Sequence, residues 1–230
     1  MNEVHSVVMK APTSKLPKPR VKNKEIRTQE IQKAACAIFF KKGYQNSTIA
    51  EIAKKAGISE GMVYLYFKNK GDLYISLMIP VVKKLGMKLD ELEETLLLNK
   101  IKTASELVDA TLKLHLETYH DDPDSFRIIS AFQQGNLFAK MSKETRKQLD
   151  NLGRSNFQKS RRIIFKAKEI GIYKKEINEV LLADIYWALF IGAIQVEETK
   201  YRATQKDHLL QTLNYAFSLI CHGIEQKKTF

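Results

Sequence analysis

Apolar residues recur along this chain at intervals of three and four, and the first such run sets the pattern. Ile31, Ala34, Ala35, Ile38 and Phe39 fall on one face of a helix expected from about Lys24 to Lys42, which Gly43 ends. Ile49, Ile52, Ala53 and Ala56 form a second, shorter stripe, and the small Ala53 suits a close helix crossing. Thr48 precedes that stripe with Glu51 three residues on, the spacing of a capping box. Gly57 supplies the left-handed turn, and Ser59 caps a third helix. In that helix Val63 and Phe67 point inward, so Glu60, Gly61, Met62, Tyr64 and Tyr66 face outward. Asn69 caps a fourth helix starting near Lys70, and Pro80 inside it predicts a kink or a break. Further helices are expected at about 83–98, 103–119, 123–135, 142–170, 178–199 and 206–226. The segments Asp121-Asp122-Pro123-Asp124 and Gly135-Asn136, with Gly171 and Thr204, supply their breaks and caps. No strand-like alternation bounded by turns interrupts this series, so the fold class is all-α.

Composition adds a direction to the pattern. The chain has 230 residues, 44% of them apolar, enough for a substantial core. Its net charge of +12 is unevenly spread, because residues 1–72 hold 14 Lys/Arg against 6 Asp/Glu. That excess beside the short helices suits a polyanion such as double-stranded DNA. Residues 1–23 carry Pro12, Pro17 and Pro19 among Lys15, Lys18, Arg20 and Lys22, and read either as a solvated tail or as a flexible basic arm tracking phosphates. No apolar run approaches a membrane span and no signal-peptide pattern precedes the helices, so no membrane partner and a cytoplasmic location are expected. Cys36 and Cys221 lie far apart in helical patterns, as buried thiols of a reducing compartment would. The five histidines show no metal-ligand spacing, and no phosphate loop or nucleophile elbow occurs. No metal, cofactor or enzyme activity is therefore expected. The nearest catalytic grouping, His115, His120 and Asp121, is a weak one.

The run from Thr48 to Phe67 reads as a helix-turn-helix, which taken alone could be an ordinary helical hairpin. Lys70 adds a cation in the first turn of the next helix, a place the helix dipole disfavours unless an anion such as a DNA phosphate is shared there. Taken together, residues 28–73 resemble the DNA-binding domain of the tetracycline-repressor (TetR) family. The matching pieces are Phe-Phe-Lys-Lys-Gly-Tyr (39–44), Ser-Thr-Ile-Ala-Glu-Ile-Ala (47–53), Ala-Gly-Ile-Ser (56–59), Gly-Met-Val-Tyr-Leu-Tyr-Phe (61–67) and Asn-Lys-Gly-Asp-Leu (69–73). The resemblance implies a three-helix DNA-binding domain at residues 24–70, then a larger helical ligand-binding and dimerisation domain at 71–230. It implies a dimeric regulator, most often a repressor on a palindromic operator, released by a small-molecule effector. An architectural DNA-binding protein without an effector is the alternative.

On the matching positions, Thr48, Tyr66 and Lys70 are expected at phosphates. Ser59, Glu60, Gly61, Met62 and Tyr64 are expected in the major groove, with Gly61 allowing close approach and Glu60 accepting from a cytosine amino group or simply facing solvent. The resemblance also makes Pro80 a candidate hinge, against a fixed bend without a signalling role. Leu181, Ile185, Ala188, Leu189, Gly192 and Val196, with Leu213, Phe217, Ile220 and Ile224, make two stripes that the family pairs into a homodimer and that periodicity alone would equally place in the core. His115, Tyr119, Phe126, Phe132, Gln133, Phe157, Arg161 and Trp187 are candidates for an effector pocket or, for the aromatics, plain core.

Overall fold

A computed structural model describes residues 19–134 and 138–226, without the side chains of residues 19–22, 130, 131, 133, 134, 138 and 202. Residues 1–18 of the expected basic arm and the expected break at Gly135-Asn136 lie outside the described residues. The helices are α1 (Pro19–Lys42), α2 (Ile49–Ala56), α3 (Glu60–Tyr66), α4 (Lys70–Ser76), α5 (Ile79–Leu97), α6 (Ala104–Asp121), α7 (Pro123–Gln134), α8 (Lys143–Glu169), α9 (Glu179–Thr204) and α10 (Leu209–Ile224). A 3-10 turn at Phe138–Lys140 leads into α8, and an isolated bridge pairs Tyr173 with Glu225.

The first three helices form a head around Ile31, Ala35, Phe39, Ile49, Ile52, Ala53 and Val63, all buried. The ion pair between Lys42 and Glu51 ties the end of α1 to the first turn of α2. Helix α4 is the keystone. Gly71, Asp72, Leu73, Tyr74 and Ile75 are buried in succession, which a seven-residue helix achieves only when it is enclosed on every side. On the head side Gln32 Nε2 donates to the Ser76 carbonyl at 3.2 Å, and on the body side the Tyr74 hydroxyl donates to the Ile128 carbonyl at 3.1 Å.

The sequence places Pro80 inside α4 as a kink or a break; the structure shows a break and corrects the place of Pro80. Helix α4 stops at Ser76, and Pro80 lies in the first turn of α5, where its missing N–H deprives no carbonyl of a partner. Pro80 is thus a start signal, and the break falls at Leu77 and Met78. Helix α1 begins at Pro19, five residues before its expected start, so residues 19–23 of the expected arm are helical.

In the body, α8 lies along α5 and is fastened to it by polar groups. Asn156 Nδ2 donates to the Val82 carbonyl at 2.8 Å, Lys159 Nζ to the Gly86 carbonyl at 2.9 Å, and Arg162 grips Glu93 with two bonds of 2.8 and 2.7 Å. Helix α10 packs on α6 and α9, with Phe217 stacked on Tyr186 at 5.3 Å between ring centroids. One expectation about hydropathy fails here. Residues Glu179–Tyr201 of α9 form a 23-residue stretch containing an 18-residue window of mean hydropathy 1.6, long and apolar enough by composition to cross a membrane. Its apolar content divides between two faces of one helix: Leu182, Tyr186, Phe190 and Ile194 enter the core, while Leu181, Ile185 and Val196 remain exposed.

Candidate functional site

Each short helix of the head is started by a side chain read three residues ahead. Thr48 Oγ1 accepts from Glu51 N at 3.2 Å while Glu51 Oε2 accepts from Thr48 N at 3.1 Å, closing the capping box. Gly57 ends α2 at φ 69°, a left-handed angle that a residue with a Cβ adopts at a cost. Ser59 Oγ then accepts from Met62 N at 3.2 Å, and Asn69 Oδ1 from Asp72 N at 2.8 Å.

These caps aim α3 outward. Val63 and Phe67 are buried, whereas Glu60, Gly61, Met62 and Tyr64 are exposed beside the exposed Thr48 and Ser59. A Cβ at Gly61 would meet only Ser59 Oγ, at 4.0 Å, so the backbone of α3 is bare on that side. Tyr66 is half-buried and packs on the core. Sequence reasoning overlooked Leu65, which is 76% exposed, and the groove where Met62 and Leu65 meet Lys24 and Arg27 of α1. An apolar residue so exposed on a helix whose other face is core is a signal in itself; the approach of α1 is tertiary and left none.

Lys70 requires a correction. Its ammonium is part-buried and donates to the Tyr44 and Ser47 carbonyls, each at 2.7 Å, and lies 4.4 Å from the centre of the Tyr44 ring. Burial and the neighbouring Lys140 ammonium hold its pKa below the ordinary lysine value. The positive charge is engaged with two carbonyls at the end of α1 and the start of α2, which serve the anion's part that the sequence reading assigned to phosphate. Lys70 is a clamp on the head, with two of its three N–H donors spent on these carbonyls.

The head is fastened to the body at the same place. Asp72 Oδ1 accepts from Ser142 N at 2.9 Å, Lys140 Nζ donates to Gln45 Oε1 at 2.9 Å, and Lys68 pairs with Glu144 at 3.1 Å. A Cβ at Gly71 would lie 2.3 Å from the Lys140 carbonyl oxygen, so only glycine admits this approach. Helix α8 therefore begins against the head and runs on to form one wall of a cavity of about 760 Å³.

Met78, Val82, Leu85, Leu89 and Leu92 form the wall on the α5 side, with Ile129 and Phe132 on α7 and Trp187 on α9. Of the residues expected there, His115, Phe132, Phe157, Arg161 and Trp187 line it. Tyr119 and Phe126 do not. Phe126 is 1% exposed and packs edge-on against Tyr119 and Phe190, so these two rings are core. The side chain of Gln133 lies outside the description. Sequence reasoning missed Asp150, Arg154 and Asp184, polar residues that the length of α8 and its pairing with α9 bring to the same cavity. Arg161 Nη2 lies 3.8 Å from Asp184 Oδ1, and its buried Nε has no partner among the described residues. His115 Nδ1 is 2.7 Å from the Thr111 carbonyl, and burial pushes the pKa of the ring down to about 4.

The stripes expected to pair two copies separate. Leu181, Ile185, Ala188 and Val196 form an exposed apolar face on α9, with Leu189 and Gly192 half-buried along it. On α10, Leu213, Phe217 and Ile224 are 0%, 1% and 5% exposed and belong to the core, with Ile220 half-buried. The strongest stripe of α10 is consumed by α6 and α9 of its own chain, leaving Leu210, Tyr215 and Leu219 outside.

A recognition helix held outward by capped turns, joined through a buried keystone to a body with an apolar cavity, defines a helix-turn-helix DNA-binding regulator. Residues 31–77 match the family model described as bacterial regulatory proteins, tetR family, and together with the relatives below this supports a tetR-type transcriptional regulator. It is 28% identical over 210 residues to the fatty acid metabolism regulator protein of Bacillus subtilis (strain 168), covering 90% of this chain and 100% of that one. A 68-residue match at 35% identity to the HTH-type transcriptional regulator BetI of Proteus mirabilis (strain HI4320) covers 30% of this chain and 34% of that protein. Among solved structures, that of the transcriptional regulator FadR from Bacillus subtilis in complex with stearoyl-CoA superposes with a TM-score of 0.60 at 24% identity, over 86% of this chain and 99% of that one. The last likeness bears on fold alone.

Proposed function

We propose that this chain is a homodimeric repressor that reads a two-fold-symmetric DNA operator with paired α3 helices and releases it when a long-chain acyl compound fills the cavity. The observation that carries this reading is the continuity of α8: its start is bonded to α4 and the head, and its middle forms the cavity wall. A ligand that binds more tightly when α8 is displaced shifts the heads by its difference in affinity between the two arrangements. The acyl class is supported by the apolar wall of α5, by Arg154 and Arg161 for an anionic end, and by the similarity in sequence to the fatty acid metabolism regulator protein of Bacillus subtilis. The residues before α1 serve as a basic arm, the head through Lys70 as the DNA-binding domain and residues 71–230 as the ligand-binding and dimerisation body. Ser59, Glu60, Gly61, Met62 and Tyr64 face the major groove, with Thr48 and Tyr66 toward phosphates. The exposed face of α9 is the surface for the second copy, which closes a two-fold assembly. The protein acts in the cytoplasm, where its operator is, and as a regulator and not an enzyme.

Selection of the full-length protein against random duplexes, then anisotropy titration of the enriched sequence with and without stearoyl-CoA, tests this. An enriched inverted repeat released by stearoyl-CoA is expected. Salt-sensitive binding without enrichment would overturn specific regulation in favour of an architectural role. Enrichment with no release would remove the acyl effector.

A further inference from the structure

The cavity read above as the effector site presents, among the described residues, a ring nitrogen to which no side chain or backbone group donates. The Thr111 hydroxyl donates to the Leu107 carbonyl at 2.7 Å, and the hydroxyls of Tyr173 and Tyr186 face each other at 3.4 Å. His115 differs. A backbone carbonyl only accepts, so Nδ1, 2.7 Å from the Thr111 carbonyl, carries the ring proton. The neutral ring then leaves Nε2 with a lone pair and no proton. Around it stand Phe190 and Trp187, their ring centres 5.1 and 6.4 Å from that of the imidazole, and the apolar cavity wall. Among the described residues no donor reaches Nε2.

An acceptor in such a wall selects what may lie against it. A plain alkyl chain covers Nε2 without a bond and bears the cost of its lost hydration. A charged donor is disfavoured by burial, and an amide N–H brings a carbonyl that needs a donor of its own. A hydroxyl supplies one proton and makes the least further demand. We infer that His115 is the specificity-determining residue of the cavity, its Nε2 accepting a hydrogen bond from a hydroxyl on the otherwise apolar body of the ligand. The inference rests on the reading of the cavity as an acyl-compound site and adds which acyl compounds it prefers.

Trp187, the single tryptophan of the chain, lines the cavity and reports on occupancy by its fluorescence. Full-length protein is titrated with palmitoyl-CoA and with palmitoyl-CoA analogues bearing one hydroxyl near the thioester, at mid-chain or at the terminal carbon. One hydroxylated thioester is expected to bind about tenfold more tightly than the plain one, and His115→Leu to abolish that preference. His115→Met serves if the leucine variant fails to melt cooperatively, and the wild-type titrations decide alone if neither folds. Binding of every thioester without preference, or a preference that survives the substitution, overturns the role of His115 and leaves the cavity reading intact. Binding of none overturns the cavity reading and the inference together.

Discussion

The head and the body are built from the same helices-and-leucines vocabulary, yet one is packed solid and the other is hollow. In the head, Ile31, Ala35, Ile52 and Val63 meet at essentially zero exposure, and Ala53 lets α2 cross its neighbours closely. In the body, α5 sends Val82, Leu85 and Leu89 toward α8 and finds a cavity of about 760 Å³ in between. A dense head holds its recognition helix in one orientation, as base reading demands. A hollow body leaves room for a ligand, which can act as a switch only by binding one arrangement of the walls more tightly than another.

That contrast can be broken most directly by truncating one residue in each region. Ile52→Ala should cost about 4 kcal/mol, because dense packing leaves the new hole unfilled. Leu85→Ala should cost only about 2 kcal/mol, since its side chain already borders space. Urea denaturation of both variants measures the difference, and equal losses would mean the cavity collapses in solution. At the seam between the regions, Gly71→Val should destabilise by about 3 kcal/mol, because the carbonyl of Lys140 is backbone and yields little. A native melting temperature there would show that the α8 start is not docked as described.

The buried imidazole sharpens the comparison through pH. His115 is neutral in the fold with its pKa lowered from 6.5 to about 4, so the unfolded chain binds more protons between those values. Stability is therefore fully present above pH 6.5 and falls by about 1.4 kcal/mol for each unit of acidification until about pH 4. The His115→Leu variant should lack that slope, and an identical pH profile would place the ring in contact with water. The smallest effect is expected at the head's surface. Thr48→Ala removes one cap for about 1 kcal/mol of stability, while operator affinity, measured by anisotropy, falls alike for all sequences. A loss confined to one base pair would move Thr48 from phosphate to base contact.

How far the sequence could be read follows the same division. Thr48 with Glu51, Ser59 with Met62, and Asn69 with Asp72 are bonds spanning three residues, so their geometry is written in local spacing. The reach of Lys70 to the Tyr44 carbonyl spans 26 residues, and spacing along α4 could not show it. Leu213 and Phe217 form a clean stripe, but periodicity reports that a face is buried and not by which chain. Tyr119 and Phe126 were indistinguishable from Phe132 and Trp187 by composition, because lining a cavity depends on the absence of a neighbour opposite. Pro80 was misread for a different reason: proline marks the first turn of a helix as readily as it breaks one, and the pause at Leu77 and Met78 has no residue that announces it.

Helix α9 carries the most apolar stretch among the described residues, and its position in the chain bears on how the protein is made. Segments like Glu179–Tyr201 are what membrane-insertion machinery samples as they leave the ribosome, and half-covered they aggregate. Of the helices that receive its inner face, α8 is synthesised earlier, but α10, whose Phe217 stacks on Tyr186, follows it, so that face too waits for later chain. Its outer face stays exposed within the chain, so expression at high level should send part of the newly made protein to the insoluble fraction unless a second copy covers that face as proposed above.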